Sequence, residues 1–169
     1  MSIASIIANL PALVVVIPLL LAPIAALIPI SGAAWLVAVI GSGGALVSAF
    51  LLQGAVSNGS SFSYHLGSWP PPWGIEFVVD SASALTVLIM AALAFVATLF
   101  ARKALPAEIN EKDIGKAESA WLLACGGLAG LVMTGDAFNL FVFLEISALS
   151  SVILIALGAG TDRRALVAG

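Results

Sequence analysis

Five long apolar runs, set apart by short breaks of polar, glycine or proline residues, organise this sequence. They cover residues 10–30, 33–53, 77–101, 119–134 and 138–157. A helix that crosses a bilayer takes roughly 20 mostly apolar residues. Four of the runs reach that length and the fourth, 119–134, falls short of it. The first run holds Pro11, Pro18, Pro23 and Pro29, which predicts a kinked helix of a sort that membranes tolerate better than water does. The second holds Gly41-Ser42-Gly43-Gly44, a stretch without bulk that lets another helix come close. Residues 54–76 break the pattern with Asn58-Gly59-Ser60-Ser61 and Pro70-Pro71-Pro72. They read as a loop, and Trp69 and Trp73 suit a membrane interface. Residues 102–118 are the one markedly polar stretch, a second loop, and Gly135-Asp136 separates the last two runs. No internal repeat and no soluble domain is visible.

Composition turns this pattern into a fold class. The chain is 62% hydrophobic and 9% charged, with a mean hydropathy of +1.18. A soluble domain is nearer half apolar and a quarter charged, and no interior of this size hides so much apolar surface. The expectation is an all-α integral membrane protein of about five transmembrane helices forming a single transmembrane domain over residues 1–169, multi-pass in the cell (inner) membrane. The net charge of −3 comes with no basic patch, which excludes nucleic acid as a partner. Cys125, the single cysteine, has no internal disulfide partner and reads as a small buried residue. Arg102 is the first Lys or Arg in the chain. The first run therefore lacks the basic flank of a cleaved signal and is expected to stay as a helix.

The placement of positive charge orients the chain. Arg102, Lys103, Lys112 and Lys116 lie between the third and fourth runs, and Arg163 and Arg164 follow the fifth. If five helices alternate, both groups fall on one side and the other side has none. The positive-inside rule makes that side cytoplasmic. The N-terminus and the loop 54–76 are then outside; the loop 102–118 and the C-terminus are inside.

Glu145 is the residue that asks for an explanation. It sits well inside the run 138–157, where a carboxylate is costly unless it is protonated, paired or hydrated. Two readings stand side by side: an intramembrane proton-relay carboxyl, or a structural hydrogen-bonding group facing another helix. Asp136 reads chiefly as a cap on the fifth helix, with Asn139 a weaker version of the same case. Glu76 and Asp80 are four apart and share a face if both are helical. They form either an acidic mouth for a cation or ordinary interfacial acids. His65 is the only histidine, and one histidine is no metal site. There is no P-loop, CxxC, nucleophile elbow or dinucleotide fingerprint, so a self-contained enzyme is not expected. Neither is an intrinsic cofactor or metal; a lipid or a quinone is the small molecule expected nearby.

Two stretches carry a family resemblance. They are Tyr64-His65-Leu66-Gly67-Ser68-Trp69-Pro70-Pro71-Pro72-Trp73-Gly74-Ile75-Glu76-Phe77-Val78-Val79-Asp80 and Thr134-Gly135-Asp136-Ala137-Phe138-Asn139-Leu140-Phe141-Val142-Phe143-Leu144-Glu145. Together they resemble the antiporter-like subunits shared by Mrp-type cation/proton antiporters, membrane-bound hydrogenases and respiratory complex I, the Mrp D subunit in particular. The resemblance runs along essentially the whole chain, with Leu144 where a phenylalanine is usual. It implies that Glu145 is the glutamate which, in the family, partners a lysine on a later helix and helps to move protons. It also implies a site within a hetero-oligomeric complex whose partners are other membrane subunits and lipids. Family members have about fourteen helices, with a conducting core of inverted repeats. This chain corresponds to the N-terminal portion, and the later lysines are absent from it. Two roles follow: a part in cation/proton translocation with other chains supplying the missing helices, or a non-transporting structural or assembly subunit of an energy-converting or photosynthetic complex.

Overall fold

A computed structural model describes residues 8–56, 61–69 and 74–158. The expectations that rest on Asn58-Gly59-Ser60, on Pro70 to Trp73 and on the Arg163-Arg164 pair lie outside the described residues. Five long helices make up most of the fold: α1 Leu10–Leu27, α2 Ser31–Val56, α3 Ser81–Glu108, α4 Ile114–Met133 and α5 Ala137–Gly158. Between α2 and α3 stand two short strands, β1 Phe62–His65 and β2 Glu76–Val79, paired antiparallel with His65 opposite Glu76 and Phe62 opposite Val79.

Four of the helices, α1, α2, α3 and α5, are long and apolar enough to cross a membrane. In α1, Pro11 occupies the first turn, where a missing N–H costs nothing, while Pro18 and Pro23 lie inside the helix and Pro18 is buried. The helix closes at Leu27, and Pro29 falls in the short turn that leads to α2. On α2, Gly41 lets Leu122 of α4 lie so close that an added Cβ would stand 2.8 Å from its side chain. The expected close approach along Gly41-Ser42-Gly43-Gly44 is therefore present, made by α4 at Gly41, by Phe95 of α3 at Gly43 and by Ile17 of α1 at Gly44.

The third helix departs most from expectation. The run at 77–101 predicts a helix from residue 77, yet Glu76–Val79 is a strand and α3 begins at Ser81. Two features set that start. Phe77 and Val79 are buried on one side of β2 while Val78 is exposed, the two-residue alternation of a strand with one covered face. Asp80 then caps α3: its Oδ1 accepts the Ser83 N–H at 2.7 Å, and its own N–H donates to Ser83 Oγ at 2.9 Å. This reciprocal pair is a capping box. Glu76 and Asp80 thus share no helix face. At its other end α3 runs on past Arg102 and Lys103 to Glu108, so these two charges do not stop it. The guanidinium of Arg102 lies back over the Trp35 ring, 4.5 Å from its centroid. That posture keeps the aliphatic stem on apolar surface and the charge at its edge.

The polar stretch expected as a loop over 102–118 shrinks to a tight connection after Ile109, with one 3₁₀ turn at Glu111–Asp113. From Ile114 onward the chain is already helical, which makes α4 20 residues long. At 1.5 Å per residue that is about 30 Å, the thickness of a bilayer's hydrocarbon core. Yet α4 is not among the four helices apolar enough to cross by composition. The reason is its place: it packs against α1, α2, α3 and α5 and buries residues along its whole length. A helix surrounded by protein has no need to be lipophilic, and small residues let its neighbours approach. Gly130 packs under Phe143 of α5 so tightly that a Cβ there would meet the ring at 2.5 Å.

The last helix is the reverse case. Buried positions on α5 are few, namely Asn139, Phe143, Ser147 and Ser150, and its large apolar side chains point away from the bundle.

Candidate functional site

The hairpin folds onto the turn between α4 and α5. Phe77 bridges to Thr134, and the Gly135 N–H donates to the Glu76 carbonyl at 2.9 Å. These contacts gather at one end of the bundle four residues that the sequence singles out. Glu76 Oε1 accepts the Ser63 hydroxyl at 2.6 Å and lies 3.5 Å from His65 Nε2. Asp136 caps α5: Oδ1 accepts the Phe138 N–H at 2.7 Å, and Oδ2 accepts from the Asn139 side-chain amide. Asn139 is buried. An open cleft of about 550 Å³ runs between the two parts, walled by Leu66, Trp69, Gly74 and Ile75 on one side and by Asp136, Phe138 and Asn139 on the other. Asp80 stands apart at the head of α3. The bond from the Ser83 N–H, with the Ser83 side chain beside it, holds its carboxyl below the ordinary 3.8.

Glu145 is eight residues beyond Ala137, about 12 Å along α5. It is exposed, and it shares its stripe with Phe138, Phe141 and Leu149, at four- and seven-residue spacings, which are exposed as well. No hydrogen bond or ion pair reaches it among the described residues. The carboxyl therefore sits near the middle of an apolar helix, on the face that the described residues leave uncovered.

One buried acid escapes sequence reasoning. Glu118 on α4 is 1% exposed, and its Oε1 has no hydrogen-bond partner among the described residues. Its signal is present in the sequence: Glu118, Leu122, Cys125 and Ala129 follow the helical spacing of one packed face. Placing residues 102–118 in a loop hides it. Near the same end of the bundle, Thr98 joins three helices. Trp35 Nε1 of α2 donates to its carbonyl at 2.8 Å, and Trp121 Nε1 of α4 donates to its hydroxyl oxygen at 2.9 Å. Among the described residues no three His, Cys, Asp or Glu side chains converge as a metal ion would require.

These features define an α-helical membrane protein with an acidic group on an uncovered helix face, and known proteins share its fold. The chain is 37% identical over 169 residues to the N subunit of NADH-quinone oxidoreductase from Desulforudis audaxviator, covering 95% of this chain and 32% of that protein. It is 37% identical over 113 residues to the D subunit of the Na(+)/H(+) antiporter from Alkalihalophilus pseudofirmus, covering 67% and 22%. Among solved structures, the Mrp complex from Dietzia sp. DQ12-45-1b matches with a TM-score of 0.79 and 27% identity, over 96% of this chain and 30% of that one. The membrane-bound sulfane sulfur reductase, an archaeal respiratory membrane complex, matches with a TM-score of 0.81 and 28% identity, over 95% and 33%. No family model matches the chain. The chain belongs to the antiporter-like membrane subunits of Mrp systems and complex I, and it is a multi-pass membrane protein. It spans about a third of the length of the relatives that it matches along its whole length.

Proposed function

We propose that this chain takes part in cation/proton translocation within a multisubunit membrane complex, with Glu145 as an intramembrane proton-relay carboxyl. The observation that carries the reading is the position of Glu145: near mid-helix on α5, outward and unpaired among the described residues. A carboxyl kept at that depth needs a partner, and only a neighbouring element can supply it. The relatives are about three times as long as this chain, which leaves room for such elements, on whichever polypeptide they are carried. The names of those relatives, antiporter and quinone oxidoreductase subunits, favour transport over catalysis by the chain itself. In this reading all five helices cross the bilayer, α4 included, with the hairpin and the Asp136 turn on the outer side. His65, Glu76, Asp136 and Asn139 support the outer end of the site, and Asp80 sets the start of α3. The partners are other membrane subunits and lipids.

A second reading has one observation in its favour. Asp136 is fully engaged in capping α5, and Glu76 in bonds within the hairpin, so neither reaches Glu145 as a next relay step. A structural subunit that has lost transport would keep this arrangement and use the outward face of α5 purely for packing. The substitution Glu145→Gln in the assembled complex separates the two. The relay reading expects loss of most of the cation-dependent proton flux into vesicles with the set of assembled chains unchanged. Undiminished flux sinks it, and loss of assembly supports the structural role.

A further inference from the structure

Away from Glu145, an apolar groove of about 320 Å³ opens between α3 and α4. Val14 of α1 and Ala45 of α2 form its floor, Val87 and Met90 of α3 one wall, Trp121 and Leu128 of α4 the other. Its rim is outward-facing: Leu93 is 67% exposed and Leu128 40%. In a membrane protein that rim meets lipid, so the groove is continuous with the hydrocarbon around the bundle.

The hydroxyl and the indole N–H of the lining are already spoken for. The Ser42 hydroxyl donates to the Ala38 carbonyl at 2.8 Å, and Trp121 Nε1 donates to Thr98. Water needs two to four polar partners to be stable in a cavity, and these walls offer only the weakly bonding Cys125 thiol. An empty groove forfeits the dispersion contacts of every atom that lines it, and apolar cavities of about half this volume already take up small hydrocarbons. Hydrocarbon is therefore the occupant that fits.

Length and charge narrow the choice. From Val87 to Ala97 the α3 wall runs ten residues, about 15 Å, half the hydrocarbon thickness and so the depth of one leaflet. Five residues beyond Ala97, about 7.5 Å further along the same helix, stands Arg102. Its side chain is exposed and steadied over Trp35, and Trp35 is itself tied to Thr98. A cation lies where the headgroup of a lipid whose chain filled the groove would lie.

We infer that the α3–α4 groove binds one acyl chain of an anionic phospholipid whose phosphate is held by Arg102. The test uses the full chain in lipid nanodiscs of phosphatidylcholine, with Trp69→Phe and Trp73→Phe removing the two tryptophans that lie between β1 and β2 in sequence. Phosphatidylglycerol brominated in the upper part of one acyl chain is added in increasing proportion, and quenching of the remaining tryptophan fluorescence is read. Saturable quenching is expected, with an apparent affinity about fivefold weaker in Arg102→Gln. Brominated phosphatidylcholine should be indifferent to that change. Ala94→Phe, which fills the groove from α3, should abolish the saturable component; should it fail to fold by circular dichroism, Ala45→Leu fills it from the floor. Quenching that rises only linearly with brominated lipid, or that persists when the groove is filled, overturns the assignment, as does equal affinity for the two headgroups.

Discussion

Phe77 of β2 and Phe143 of α5 meet with their ring centroids 5.9 Å apart and their planes tilted by 32°. Phe143 is two residues before Glu145 and points the opposite way, into the bundle. The contact clamps the hairpin to the helix that bears the candidate relay, and it fixes which face of α5 turns outward. Gly130 closes the clamp from the α4 side, because only a residue without a Cβ leaves room for the Phe143 ring.

Truncating either ring should therefore loosen both elements together. Phe77→Ala and Phe143→Ala are each expected to cost about 3–5 kcal/mol. Their double-mutant cycle should show coupling of about 0.5–1.5 kcal/mol beyond the loss of area. Thermal unfolding in detergent checks this, and strict additivity would count against the clamp.

Glu118 should behave as a liability to stability. A buried carboxyl oxygen without a partner costs about 1–3 kcal/mol in protein terms, so Glu118→Met is expected to raise stability by an amount in that range. If proton flux through the assembled complex falls in the same variant, the group is kept for function at the expense of stability. Lower stability on substitution would refute the liability.

Asp80 gives the start of α3 a dependence on acid. Its folded carboxyl titrates below 3.8 because Ser83 donates to it, whereas in the unfolded chain it returns to the ordinary value. The sign follows: the stabilisation is complete above the unfolded value and is lost as pH falls through the lower, folded one. Asp80→Asn is expected to flatten this part of the profile. The melting temperatures of wild type and variant should converge as pH falls below 3.8 and through the lower, folded value, and be most separated near neutral pH. Parallel curves across the range would refute it.

Glu145 should separate folding from activity. It has no partner among the described residues, so Glu145→Leu is expected to leave the isolated chain as stable as before, or more so, in a bilayer that disfavours charge. In the assembled complex the same change should abolish the proton flux. A large loss of stability in the isolated chain would mean that the carboxyl is held from within.

Much of this architecture is legible in the sequence, and the failures have physical causes. The final helix is expected at 138–157 and is found at Ala137–Gly158, because Gly135 and Asp136 mark its start and nothing tertiary shifts it. The two helix ends next to the charged stretch differ from expectation for a common reason. Arg102 reads as a stop, but Trp35 on another helix accommodates it. Lys116 and Glu118 read as loop, but Lys116 bonds Asp113 at 2.8 Å and Glu118 is covered by neighbouring helices. The hairpin escapes sequence reasoning because its strands are four residues each and draw their stability from packing against residues far off in sequence. That Glu145 is uncovered cannot be read from the sequence at all. The fifth helix is mostly apolar and its few polar residues fall on both faces, Asn139, Ser147 and Ser150 buried and Glu145 exposed, so periodicity does not tell its lipid face from its protein face.

The wrapped position of α4 has a consequence for how the chain is made. A segment that carries Lys116 and Glu118 near its start gains little by leaving the insertion machinery for lipid on its own. The three helices synthesised before it line most of its surroundings, and they are available as a seat when α4 emerges from the ribosome. The seat formed by α1 to α3 therefore favours insertion of α4 after them, and α5 packs over Gly130 on the side that remains.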